Sequence, residues 1–349
     1  MKNSKNTWTD HTFNPWVGCT KVSPGCANCY AEAQDRRWRG DKTRWGEGVP
    51  RERTSEAYWR QPLRWNAEAA KSGIRPRVFC GSMCDWLDSE VPIEWLADLM
   101  ALIHCTPNLD WLLLTKRPEN WHKRLLDVMK CRGQIRISAE VWALLQTCVA
   151  WEAGRVVPSN VWLGATVENQ EMADKRIPAL LRIPAKVRFL SCEPLLGVVD
   201  LSKSYPDEFC VCSQCGHWAF HGVGSMMICT NCDCREEDER GDCKACGKGA
   251  MRDICPECED NDWLAYYGNP RNFAEGYEVL PGINWVICGG ESGAGARPMC
   301  PDWARSLRDQ CANVKVPFLF KQWGGLRSGG ARELDGVVHD GYPERERNA

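Results

Sequence analysis

The chain has 349 residues, 44% hydrophobic and 26% charged, with a formal net charge of −2, a length beyond what one hydrophobic core usually organises unless the fold is an α/β barrel. This balance excludes a disordered or collagen-like chain, and near-neutrality gives no global reason to expect a nucleic-acid or membrane-surface partner. No window approaches the ~18 consecutive apolar residues of a membrane span, and no apolar segment follows Lys2 and Lys5, so the expectation is a cytoplasmic protein without a secretory leader.

From the N-terminus, the first β-rich apolar run is Asn14–Gly18. Behind it comes the loop Gly18-Cys19-Thr20-Lys21-Val22-Ser23-Pro24-Gly25-Cys26-Ala27-Asn28-Cys29-Tyr30, a C-x6-C-x2-C pattern that leads straight into a helix. Three cysteines can ligate three irons of a [4Fe–4S] cluster and leave the fourth iron open to a small molecule, whereas a closed electron-transfer cluster takes four. A three-cysteine zinc site completed by His11 or a distant cysteine is an alternative, as are unrelated free thiols. The next stretch, Arg36–Arg64, holds nine basic and four acidic residues interleaved with Trp38, Trp45, Tyr58 and Trp59. It reads either as a phosphate-contacting, base-stacking strip for single-stranded nucleic acid or as a solvated excursion with buried tryptophans.

Strands are then expected at Arg77–Gly81, Trp111–Thr115, Val161–Thr166, Val187–Ser191, Trp285–Cys288 and Pro317–Lys321. Between them, Pro92–Ile103, Glu119–Met129, Asn169–Arg182 and Pro301–Asn313 carry apolar residues at helical spacing. Several strands are continuous apolar runs, which suits a parallel sheet covered on both faces. The fold class is therefore α/β, a partial or complete (β/α) TIM-type barrel, with a doubly wound sheet as the alternative. The expected layout is a first barrel part over 1–204, an inserted module over 205–275, a last barrel part over 276–330 and a loosely ordered polar tail over 331–349.

The chain has 22 cysteines, and in a reducing compartment closely spaced pairs point to metal more than to disulfides. Cys80, Cys192 and Cys288 lie in apolar runs, as small buried hydrophobes do. The insert holds four C-x2-C pairs: Cys212 and Cys215, Cys229 and Cys232, Cys243 and Cys246, Cys255 and Cys258. Two such knuckles complete a tetrahedral four-thiolate site without another ligand, so two structural zinc ions in a double zinc ribbon are expected, with swapped pairing or iron as alternatives. Acidic residues outnumber basic ones in this module, and the run Glu236-Glu237-Asp238-Glu239 would repel phosphate; a protein partner docking there, or plain structural packing, is the expectation.

Asp85, Lys116, Arg117, Glu168, Glu193, Glu291, Ser292 and Lys321 all come just after expected strands, and in a barrel those positions share the chemical face. Glycines 289, 290, 293 and 295 would let the backbone approach a ligand closely, although they do not form G-x-G-x-x-G.

The three-cysteine loop, together with Gly81-Ser82-Met83-Cys84-Asp85, Leu114-Thr115-Lys116-Arg117-Pro118, Gly164-Ala165-Thr166-Val167-Glu168-Asn169, Leu190-Ser191-Cys192-Glu193-Pro194-Leu195, Cys288-Gly289-Gly290-Glu291-Ser292-Gly293 and Phe320-Lys321-Gln322-Trp323-Gly324, resembles a phage-associated three-cysteine-motif family of unknown function that is regarded as similar to radical S-adenosylmethionine (SAM) enzymes. The resemblance covers nearly the whole chain outside the insert. It implies a radical SAM-like partial barrel, a [4Fe–4S] cluster on Cys19, Cys26 and Cys29, and SAM near Glu168, Glu193, Gly289, Gly290, Glu291 and Ser292. The usual radical SAM loop is C-x3-C-x2-C with an aromatic before the last cysteine; here the first gap is six, Asn28 takes that place and Tyr30 follows. The Gly-Gly-Glu that commonly follows the second strand stands after the sixth. The expected function is thus a radical SAM-type enzyme that generates a 5′-deoxyadenosyl radical, supplied with electrons by a reducing partner protein and acting on an unidentified substrate, with nucleic acid or nucleotide suggested by the phage context. The alternative is a metal-stabilised nucleic-acid or protein-binding module without turnover.

Overall fold

A computed structural model describes residues 2, 4, 6–130, 151, 157–203, 282–326 and 331–343, together with five strands between 208 and 267. Seven strands form one parallel sheet: β1 (His11–Phe13), β2 (Arg77–Cys80), β3 (Asp110–Thr115), β4 (Val161–Thr166), β5 (Val187–Cys192), β6 (Trp285–Gly289) and β7 (Phe318–Gln322). Their order in the sheet is their order in the chain. A doubly wound sheet would reverse that order at a switch point. Here the sheet runs in one sense from β1 to β7 and curls into a half-barrel, the partial form of a (β/α) barrel.

Strand β4 is buried at all positions and β2 likewise, which is why these segments read as unbroken apolar runs. The first strand differs from the expectation. Trp16–Val17 pairs antiparallel with Glu52–Arg53, and the sheet strand lies earlier, at His11–Phe13. His11 and Thr12 give no apolar signal; in the terminal strand they pair with β2 on one side, with a single antiparallel bridge from His11 to Lys2 on the other, and the His11 ring is covered by Trp65 at 4.4 Å between centroids.

Among the described residues, the longer helices between these strands are α1 (Tyr30–Arg39), α2 (Gln61–Ser72), α3 (Ile93–His104), α4 (Trp121–Lys130), α5 (Gln170–Leu181) and α6 (Pro301–Asn313). Their ends follow local chemistry. Asn169 caps α5 by accepting from the Met172 amide at 3.0 Å, Pro301 opens α6 where no amide hydrogen is needed, and Gly73 closes α2 in the left-handed region at φ 69°. Helix α2 lies partly within the basic–aromatic stretch, where charge masked its periodicity.

Side chains alternate across each strand. One face carries Phe79, Leu112, Trp162, Phe189, Trp285, Ile287 and Leu319, packed with Trp8 and Tyr342 and without any helix residue, which marks it as the concave lining. The lining is tight: a Cβ on Gly164 would lie 2.3 Å from the Phe189 ring. Residues 331–343, expected as a loose tail, are built into this end. Phe320 N donates to the His339 carbonyl at 2.9 Å and Gly341 N to the Phe318 carbonyl at 2.9 Å, while Tyr342 donates to the Thr7 carbonyl at 2.9 Å. Continuing the alternation past the aromatic layer brings Thr166, Ser191 and Gly289, then Glu168, Glu193 and Glu291. The concave face therefore changes from aromatic to small and polar toward the C-terminal ends of the strands.

Residues Ser202–Gly282 form a second unit, distinct from that of Met1–Leu201 with Ile283–Ala349. It contains a three-stranded antiparallel sheet, Glu208–Cys212 between Trp263–Tyr267 and Trp218–Phe220, and an antiparallel pair of Met226–Cys229 with Met251–Ile254. Of the expected zinc ligands, Cys215, Cys232, Cys243, Cys246, Cys255 and Cys258 lie outside the described residues. Cys212 and Cys229 end two of these strands, and their side chains also lie outside the description. No helix among the described residues is long and apolar enough to cross a membrane.

Candidate active site

The three-cysteine loop contains a 3-10 turn at Pro24–Cys26, and Cys29 is the residue that opens α1. Gly18, at φ 121°, begins it where a Cβ would strike the Arg44 carbonyl at 2.6 Å. Cys26 is buried, Cys19 and Cys29 are half-buried, and all three are free thiols.

Three anchors hold the loop, each rising from the C-terminal end of a sheet strand. Past β3, Arg117 donates to the Thr20 carbonyl at 2.6 Å and places Nη1 and Nη2 at 3.5 and 3.6 Å from Cys19 Sγ. Asp85, past β2, receives Arg117 Nη1 at 2.9 Å, the Thr115 hydroxyl at 2.7 Å and the Lys116 amide at 2.9 Å, so the guanidinium is fixed. Past β4, the fully buried Glu168 accepts from Ser23 Oγ at 2.6 Å with one oxygen and from Arg176 Nη1 at 2.6 Å with the other. Gly25 passes so close that a Cβ there would lie 2.3 Å from Glu168 Oε1. Past β6, Glu291 Oε2 accepts from Asn28 Nδ2 at 2.9 Å, and Arg297 binds both Glu291 oxygens and donates to the Pro24 carbonyl at 3.0 Å.

Charge follows contact. Burial pushes the Cys19 thiol up to about 12 even though Arg117 works in the opposite direction. Burial would also raise Glu291, but hydrogen bonds from Arg297 and Asn28 outweigh it and hold the carboxyl at about 2. The last rim acid, Glu193, takes Lys321 Nζ at 2.7 and 2.9 Å and Gln322 Nε2 at 3.1 Å. Gln322 also donates to Ser292 Oγ at 2.6 Å.

Seven of the eight rim positions named from the sequence thus lie after sheet strands, Lys321 instead lies within β7, one residue before its end, and the four acids are each matched to a cation: Asp85 to Arg117, Glu168 to Arg176, Glu193 to Lys321 and Glu291 to Arg297. The glycines have another use than the one expected. A Cβ on Gly290 would lie 1.9 Å from the Trp323 carbonyl oxygen, so this residue lets the loops after β6 and β7 touch; Gly289 lies against the Glu193 side chain, with a Cβ there 3.3 Å from Cδ. Sequence reasoning missed Ser23, Asn28, Arg176, Arg297 and Gln322. Arg176 was detectable as the second-turn cation of the helix that follows Glu168; Ser23, Asn28 and Gln322 lie within the sequence motifs without a role being read from them, and Arg297 carries no distinguishing pattern. Among the described residues, no three His, Cys, Asp or Glu side chains converge as a metal-binding group.

In the basic–aromatic stretch Arg51 is buried, whereas Arg36, Arg37, Arg39, Lys42, Arg60 and Arg64 are exposed. Arg39 pairs with Glu52 at 2.8 Å, Arg51 with Asp88 at 2.9 Å, Arg53 with Asp98 at 2.9 Å, and Arg44 with Asp35. Trp45 and Trp59 are buried, whereas Trp38 stands exposed.

Over residues 3–343 the sequence matches the family described as "Protein of unknown function (DUF5131)". The chain belongs to that family. The match takes in the three-cysteine loop, all seven sheet strands and the inserted unit. No curated protein and no solved structure matches the chain.

Proposed function

We propose that the protein is a radical SAM-type iron–sulfur enzyme whose three-cysteine loop holds a [4Fe–4S] cluster at the mouth of the half-barrel. The observation that carries this reading is the seating of the loop. Cys19, Cys26 and Cys29 sit on one segment clamped from the ends of three sheet strands, on the side where (β/α) barrels do their chemistry. The fit rests on the chemistry of the donors, which are not gathered into a preformed metal-binding group: three thiols free of disulfides on one loop, one of them faced by a guanidinium whose charge works against the effect of the thiol's burial.

In this reading Cys19, Cys26 and Cys29 would hold the cluster and leave it open to SAM. When bound, the cluster and SAM together supply one-electron cleavage of the sulfonium to methionine and a 5′-deoxyadenosyl radical. The chain's own residues hold the loop rigid, close the concave interior with aromatics and present polar groups on one side. Of the rim acids beside it, Glu193 is the most accessible, with a side chain 17% exposed against 4% for Glu291 and 0% for Glu168. It is the acid available to an ammonium group, with Ser292 as its neighbour through Gln322, whereas Glu168 and Glu291 keep the loop in place. A reducing protein delivers the electron. The spacing of Cys212, Cys215, Cys229, Cys232, Cys243, Cys246, Cys255 and Cys258 supports two structural zinc sites in the inserted unit, each of four thiolates.

Anaerobic reconstitution with iron and sulfide tests the reading. We expect about four irons per chain, a reduced-cluster electron paramagnetic resonance (EPR) spectrum altered by SAM, and release of 5′-deoxyadenosine. A Cys19/Cys26/Cys29 triple alanine variant that keeps its iron, or a spectrum indifferent to SAM, overturns it.

A further inference from the structure

We infer that Arg117 is a positioning residue that sets the reduction potential of the proposed cluster through the sulfur of Cys19, an inference that rests on the cluster reading. The geometry is particular to one of the three cysteines. Arg117 is buried, and its two terminal nitrogens approach Cys19 Sγ at 3.5 and 3.6 Å. Both nitrogens are also tied down, Nη1 by Asp85 at 2.9 Å and Nη2 by the Thr20 carbonyl at 2.6 Å. Asp85 is itself buried and held by Thr115, Lys116 and Leu87. Cys26 Sγ, by contrast, meets the neutral hydroxyl of Ser23 at 3.7 Å.

The physical consequence has a definite sign. Reduction adds one electron to the cluster and breaks no bond, so its equilibrium depends on how well the surroundings accept one more negative charge. A fixed cation donating toward a ligand sulfur favours the reduced form, and hydrogen bonds to sulfur and burial are the levers by which proteins set such potentials. The low dielectric around a buried guanidinium strengthens the effect. Arg117 is a structural clamp as well, so stability alone cannot identify this role.

The test is an EPR-monitored titration with dithionite as the electron source, on the full-length protein reconstituted with iron and sulfide. Replacing Arg117→Gln removes the charge, and Arg117→Lys keeps it without the two-nitrogen fork. At a fixed potential we expect the reduced-to-oxidised ratio to fall about tenfold in Arg117→Gln, a shift of about 59 mV for one electron, and to recover in part in Arg117→Lys, at equal iron content. Equal potentials in all three loaded proteins overturn the inference and leave the cluster reading standing. A wild type that binds no iron overturns both. Should Arg117→Gln fail to load, wild-type protein carrying 15N-labelled arginine decides: arginine nitrogen coupling to the reduced cluster in pulsed EPR supports the inference, and its absence overturns it.

Discussion

Glu291 shows how a rim residue can be conspicuous in the sequence and still have its role set elsewhere. Its place after a glycine pair points to a ligand contact, yet both oxygens are bound by Arg297 and one also by Asn28. Its carboxyl lies at about 2 in the folded protein against an ordinary value of 4.5. A depressed folded value means stabilisation that is complete above pH 4.5 and lost as pH falls toward 2. Allowing for the partial exposure of Arg297, Glu291→Gln should cost about 2 kcal/mol at neutral pH. In denaturant titrations, the gap between variant and wild type should close between pH 4.5 and 2; a gap independent of pH would mean that the ionised pair is not what Glu291 contributes. The same lesson holds for Glu168 and Arg176. An acid and a cation eight residues apart are visible in any sequence, but only the turn between β4 and α5 makes them one buried pair.

At the scale of elements, the three-cysteine loop depends on close packing as much as on polar anchors. Gly25 is not in the left-handed region, so its requirement is spatial: Glu168, fixed by Arg176, fills the place of a side chain. Gly25→Ala should displace the loop, destabilise the protein by about 1–3 kcal/mol and reduce iron loading. Gly197→Ala, whose Cβ would meet nothing closer than the Asn169 Cβ at 3.5 Å, is the matched control and should do neither. Equal melting temperatures and iron contents in the two variants would remove Gly25 from the account. Most strands and helices were legible because their burial and periodicity are strong, as α6 shows by spanning the expected Pro301–Asn313. Strand β1 was not legible, because a three-residue terminal strand with His11 and Thr12 is stabilised by pairing with β2 and packing on Trp65, neither of which is local in sequence.

For the whole molecule, the division into Ser202–Gly282 and the half-barrel unit predicts that the two proposed metal systems are independent. Replacing residues 208–262 with a short Gly/Ser linker should remove about two zinc ions per chain and preserve the iron–sulfur cluster, since the cost of closing such a loop grows only slowly with its length. Metal analysis of the deletion protein checks this; loss of iron from a protein that keeps its helical circular dichroism would show that insert cysteines take part in the cluster. The sequence by itself determined the alternation of strand and helix, the interruption at the insert and the placement of the polar residues after the strands, because burial and periodicity are properties of short segments. Tertiary structure decided that the sheet runs in one sequential order instead of reversing, that Trp8 and Tyr342 fill its concave face, and that each rim acid faces a cation. Those outcomes depend on which distant segments meet, and nothing in the sequence spacing encodes the approach of Arg117 to Cys19 at 3.5 Å or of Arg297 to the Pro24 carbonyl at 3.0 Å.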